Sequence, residues 1–125
     1  MTWLLIGVMG ALGTLARYGV SGVVQRRWQT TFPVGTLVVN LTGALGAGLL
    51  LGIVTGRSVP DLALVAAGVG FLGGYSTFST WMVETVLVAE SGGRSGVRRA
   101  AENLAIPMVA GVVAVWIGFV LGGLV

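Results

Sequence analysis

The sequence contains no cysteine and no histidine. Together those two absences exclude disulfides, thiol nucleophiles, Ser-His-Asp triads and nearly every transition-metal site. Lysine is missing as well, since the seven basic residues are all arginine, so Schiff-base chemistry and the lysine of a phosphate-binding loop are excluded too. Charged residues make up only 9% of the chain, where a water-soluble surface needs roughly a quarter.

In their place stand 55% hydrophobic residues and a mean hydropathy of +0.98. That balance describes an all-α integral membrane protein of one domain, seated in the cell membrane as a multi-pass chain in contact with lipid. The 22 glycines interrupt Leu/Val/Ala runs and form neither a collagen repeat nor a polar tract, which is the habit of closely packed membrane helices. An isoelectric point near 10.7 would suit nucleic acid, but the arginines fall in short stretches between apolar runs and read as topology signals, so no nucleic-acid partner is expected. The start, Met1-Thr2-Trp3-Leu4, has no basic n-region, so the first apolar run is expected to be a retained helix.

Four transmembrane helices are predicted, at about residues 3–24, 34–56, 62–90 and 103–125. Pro33 suits the first turn of the second, and Ser58 with Asp61 suits the start of the third. An arginine-bearing loop reaching Arg99 leads into the fourth, where Pro107 predicts a kink. The third run, Leu62 to Ala89, would extend roughly 42 Å as one helix, well past a hydrocarbon core of ~30 Å. It is therefore expected to tilt or break. Gly73-Gly74-Tyr75-Ser76-Thr77 marks the place, because two flexible residues adjoin hydroxyls that satisfy freed backbone groups. Non-helical backbone at membrane depth survives only against protein or a water-filled path, so a mid-membrane break points to a site.

Glycines recur four apart at Gly48/Gly52/Gly56, Gly70/Gly74 and Gly118/Gly122, and most are read as packing. Gly68-Val69-Gly70-Phe71-Leu72-Gly73 matches the dinucleotide-binding spacing, but it lies inside an apolar span with no strand before it and no acidic partner.

The polar residues of the spans form a short inventory: Arg17, Thr36, Asn40, Thr42, the Tyr75 to Thr80 segment and Glu84. Such residues are functional hypotheses by default. An amide at Asn40 either bonds a neighbouring helix or lines a path with its two donors, and for Thr42 the interhelical bond is the better reading. Phe78 and Trp81, three apart, share a helix face either as packing or as ring edges whose partial positive charge can face an anion. Glu84 is either a helix-end carboxylate or a deeper group. The inventory is dominated by donors, so the guest that fits is a small anion or a neutral polar solute.

Three motifs resemble the CrcB/Fluc family of fluoride channels. Gly10-Ala11-Leu12-Gly13-Thr14-Leu15-Ala16-Arg17-Tyr18 is similar to its first-helix pattern, and Gly35-Thr36-Leu37-Val38-Val39-Asn40-Leu41-Thr42-Gly43 to its second-helix signature. Gly70 to Trp81 resembles its third-helix break. The resemblance implies an antiparallel, dual-topology dimer with two pores, and a structural sodium ion at the dimer interface held by the carbonyls of Gly73 and Ser76. It implies a fluoride pore formed by Asn40, Phe78, Ser79, Thr80 and Trp81, and passive export of cytoplasmic fluoride giving fluoride resistance, with no enzymatic step. Preorganised donors without a fixed charge replace the ion's water in such a pore.

The chain departs from the pattern in three places. Trp81 stands for a second phenylalanine, Tyr75 for an aliphatic residue, and Leu104 to Val125 carries no Ser, Thr or Tyr. Five arginines, Arg26, Arg27, Arg94, Arg98 and Arg99, also flank one end of the spans against Arg57 at the other. Such a bias fixes one orientation, so the dimer forms either with itself or, as the bias favours, with a homologous, oppositely oriented subunit. Two alternatives stand beside the channel: a proton-coupled exporter of the small multidrug-resistance type, which needs an acid in the first helix that this chain lacks, and a non-conducting assembly subunit.

Overall fold

The computed structural model describes residues 1–30 and 32–125. Among them are no strands and four helices long and apolar enough to cross a membrane: Thr2–Trp28, Val34–Gly56, Asp61–Glu90 and Gly93–Leu124.

The first helix ends where Gln29 takes the left-handed conformation (φ 42°, ψ 40°), with Arg26 and Arg27 in the last turn opposite the negative end of the helix dipole. Gln25 organises the turn that follows. Its Nε2 donates to the carbonyls of Thr30 (2.8 Å) and Phe32 (3.2 Å), and its Oε1 accepts from the Gly35 N–H at 3.1 Å, satisfying one of the orphan donors at the start of the second helix.

Two starts differ from expectation. Ser58 caps nothing: the third span begins at Asp61 after Pro60, without a side-chain cap. The fourth helix begins at Gly93, so Arg94, Arg98 and Arg99 lie on its first turns and not in a loop. Arg, Ala and Glu are good helix formers, no proline intervenes before Pro107, and Arg98 and Glu102 pair four residues apart at 3.5 Å.

Glycine seams decide the packing. A Cβ placed on Gly48 would overlap the carbonyl of Val115, and one on Gly52 the carbonyl of Phe119. In return, Gly118 and Gly122 lie against the carbonyls of Leu45 and Leu49, so the second and fourth helices pack backbone to backbone. Positions advance together along both, so the two run parallel. The first helix and the third span do the same, with Gly70 against Met9, Gly74 against Gly10 and Gly13 against Phe71. Gly56 has open space around it and belongs to no seam.

Very little side-chain mass is enclosed. Among the described residues the buried hydrophobic ones are Val39 and Ala100, while Leu4, Leu15, Val69, Met108, Val112 and Trp116 are among many large apolar side chains left exposed. Lipid solvates those surfaces, so cohesion between helices comes from close backbone approach and interhelical hydrogen bonds.

The third span changes geometry along its length. An α turn at Asp61–Leu64 widens into a π-helical stretch, Val65–Leu72, and tightens again over Gly73–Tyr75. Ser76 is extended (φ −73°, ψ 157°), and helical structure resumes over Ser79–Glu90.

Candidate functional site

The extended residue at Ser76 removes helical partners from the backbone around it, and each freed group has to be accounted for. Asn40, reaching from the second helix, takes two of them: its Nδ2 donates to the Thr77 carbonyl and its Oδ1 accepts from the Thr77 N–H, both at 2.9 Å. That pairing also fixes which way the amide points, because only the nitrogen can donate. The Thr77 N–H would have bonded the carbonyl of Gly73 in a continuous helix, so the Gly73 oxygen is released. Thr80 repeats the pattern. Its N–H goes to Thr77 Oγ1 (3.3 Å) in place of the Ser76 carbonyl, which instead accepts a long 3.4 Å bond from Arg17 Nη1.

Thr77 is buried and central to this arrangement. Its hydroxyl donates to Thr80 Oγ1 (3.1 Å) and lies 3.5 Å from Ser79 Oγ. Thr14 from the first helix donates to the Gly74 carbonyl at 3.3 Å, and Thr42 shares a 2.8 Å hydroxyl bond with Tyr75. For Thr42 this is the interhelical bond of the packing reading.

Two cavities meet at Thr77. An open cleft of about 970 Å³ is walled by Asn40, Gly73, Ser76, Phe78 and Trp81 on one side, and by Leu104 to Val115 of the fourth helix on the other. A second cavity of about 440 Å³ holds Arg17, Gln25, Thr36 and Thr80. The residues named from sequence are thus divided: five line the cleft, Thr80 lines the second cavity, and Ser79 is exposed beside Thr77. Next to Thr80, Thr36 donates to Glu84 Oε1 at 2.8 Å, and Glu84 Oε2 is buried with no partner among the described residues. Glu84 therefore faces the second helix and is not a helix-end carboxylate.

Phe78 is 69% exposed and meets Trp81 edge to face, with centroids 5.8 Å apart and planes at 89°. Trp81 is held from behind. Its indole Nε1 donates to the Asn103 carbonyl at 2.6 Å, while Asn103 Nδ2 donates to Thr85 Oγ1 (2.7 Å) and that hydroxyl donates back to the Trp81 carbonyl (2.8 Å). Asn103 is 1% exposed, and neither it nor Thr85 belongs to the polar inventory drawn from the sequence. The signal was there: Pro107 lies four residues after Asn103, and a proline leaves the carbonyl four residues before it without a helical donor.

Comparison with known proteins covers nearly the whole chain. Residues 4–119 match the family model described as "CrcB-like protein, Camphor Resistance (CrcB)". The chain is 41% identical over 123 residues to "Fluoride-specific ion channel FluC 2" of Mycolicibacterium paratuberculosis, covering 98% of this chain and 95% of that one. It is 42% identical over 123 residues to the protein of the same name from Moorella thermoacetica, with 98% of each chain covered. "Fluoride-specific ion channel FluC 1" of Symbiobacterium thermophilum is 42% identical over 125 residues, again with 98% of each covered. With its four membrane-length helices and a match over almost its full length, the chain is a multi-pass membrane protein belonging to the CrcB family.

Proposed function

We propose that the chain is a fluoride-selective channel, conducting the ion out of the cell down its electrochemical gradient, without enzymatic chemistry. The observation that carries the reading is the Asn40–Thr77 clip, which holds the third span open at Ser76 and leaves donors and ring edges around the opening. The names of the relatives agree with it.

Fluoride is small and strongly hydrated, so a selective path has to substitute fixed donors for water. Asn40 spends one N–H on Thr77 and keeps the other for the ion. The rings of Phe78 and Trp81 line the same cleft, the Thr80 hydroxyl continues the donor set into the second cavity, and Ser79 Oγ lies 3.5 Å from Thr77 Oγ1. Arg17, in the second cavity, draws anions toward that end without standing in the cleft.

The carbonyls of Gly73 and Ser76, released from their helical donors, are the groups that would hold a structural sodium ion, since main-chain oxygens suit a hard cation. The long bond from Arg17 occupies one lone pair of the Ser76 oxygen and leaves the other available. Bound there, the ion would supply a fixed positive charge that ties the interrupted backbone in place.

The cleft is open and mostly apolar in its lining, which supports an antiparallel dimer in which a second subunit closes it. The five-to-one arginine bias supports a partner of opposite orientation over a copy of the same chain. Robust fluoride flux from the purified single protein refutes the partner requirement. The function itself is tested by expression in bacteria lacking fluoride export. Growth on fluoride is restored by the chain, with a homologous partner if one is required, and not by Asn40→Ala. Failure of the unaltered chain in both settings contradicts the reading.

A further inference from the structure

The Asn103 carbonyl sits in an unusual position. In an unbroken helix it would accept the N–H of residue 107, but Pro107 has none, so the oxygen faces the third span with no helical donor. Buried carbonyls need partners, and the Trp81 indole N–H fills this vacancy at 2.6 Å. An indole has a single donor and Trp81 has two side-chain torsions, so one short bond at Nε1 fixes the ring plane. That plane stands at 89° to the Phe78 ring, in the wall of the cleft.

We propose that Pro107 is a positioning residue for the pore: by withholding its N–H it leaves the Asn103 carbonyl free to hold the Trp81 indole, and so sets the angle at which the Trp81 ring edge meets the ion. Asn103 strengthens the hold through its amide, which reaches the Trp81 backbone by way of Thr85. The proposal rests on the reading of Trp81 as part of the pore, and it explains how a bulky indole is kept from folding across the cleft.

The test uses full-length protein labelled with [15N]tryptophan and reconstituted with both orientations present. The chain has four tryptophans, and the Trp81 indole signal is assigned as the one lost in Trp81→Phe. Pro107→Ala returns a helical N–H to compete for the Asn103 carbonyl, and alanine is the best helix former, so the variant is expected to fold. Pro107→Val, closer in bulk, serves as the second variant. In both, the Trp81 indole signal is expected to shift upfield and exchange faster with solvent. Fluoride flux is expected to fall about tenfold, the factor that one hydrogen bond of about 1.4 kcal/mol sets in an equilibrium. In a Trp81→Phe background the same substitutions should change flux no further, because phenylalanine has no N–H to lose. An unmoved indole signal overturns the proposal. So does an equal loss of flux in the Trp81→Phe background, which would mean that Pro107 acts through helix shape. Flux unaffected by Trp81→Ala overturns the pore reading itself, and is told apart from the first two results because it appears with Pro107 intact.

Discussion

The side chain of Asn40 and the backbone of Thr77 exchange two hydrogen bonds of 2.9 Å, amide to peptide, across the space between the second helix and the third span. An amide side chain has the same donor and acceptor pair as a peptide unit, so it can take the place of a missing helical neighbour on both counts. At Thr77 the interruption therefore leaves both backbone groups paired, and the chain holds an open segment without exposing Thr77 to lipid.

Replacing Asn40 with leucine removes both bonds while keeping the branching and the number of side-chain heavy atoms. Two backbone groups are then left unsatisfied, at about 1–3 kcal/mol each, so the melting temperature in detergent should drop sharply and fluoride flux should be lost. A melting temperature equal to that of the unaltered protein contradicts this account of the clip.

The glycine seams predict a sharp contrast between positions that look alike in sequence. Gly118→Ala places a methyl group into the Leu45 carbonyl and should separate the second and fourth helices, giving poorly dispersed protein on size-exclusion chromatography. At Gly7 of the first helix, exposed and outside both cavities, where a Cβ meets open space, the same change should raise stability by up to about 1 kcal/mol through helix propensity. Equal behaviour of the two variants would refute the packing described.

How far this was legible from sequence depends on the kind of residue. The helices follow from long apolar runs, and the glycine pairs at Gly48/Gly52 and Gly118/Gly122 were recognisable as packing from their spacing. Which seam faces which was not, because spacing along one helix says nothing about its partner. Asn40 stood out as an isolated amide, but its bond to Thr77 depends on how the third span passes the second helix, which no local pattern encodes. The fourth helix starts well before its apolar run, because Arg94, Arg98 and Arg99 are helix formers as well as charges, and an apolar run marks only the membrane-length part of a helix. Asn103 stands at the edge of an apolar run, where a polar residue reads as an interface group, although its four-residue spacing from Pro107 is visible in the sequence.

Orientation can be read without background labelling, since the chain has no cysteine. The first helix and third span run parallel, so Arg26, Arg27, Arg94, Arg98 and Arg99 gather at one end, with Arg57 at the other. Single cysteines at Ser58 and Ser91 should therefore label from opposite faces only, Ser91 from the cytoplasmic side and Ser58 from outside. Labelling of each position from both faces would show that the chain inserts either way and pairs with itself.

The most direct test of the central claim is fluoride-electrode efflux from liposomes that hold the chain together with a copy whose loop arginines are moved to the opposite end, so that both orientations are present. The account predicts release of fluoride, retention of chloride, and loss of fluoride release when Asn40→Leu or Phe78→Ala is carried in both copies. Absence of fluoride release from folded protein in both orientations, or chloride passing as readily as fluoride, would contradict it.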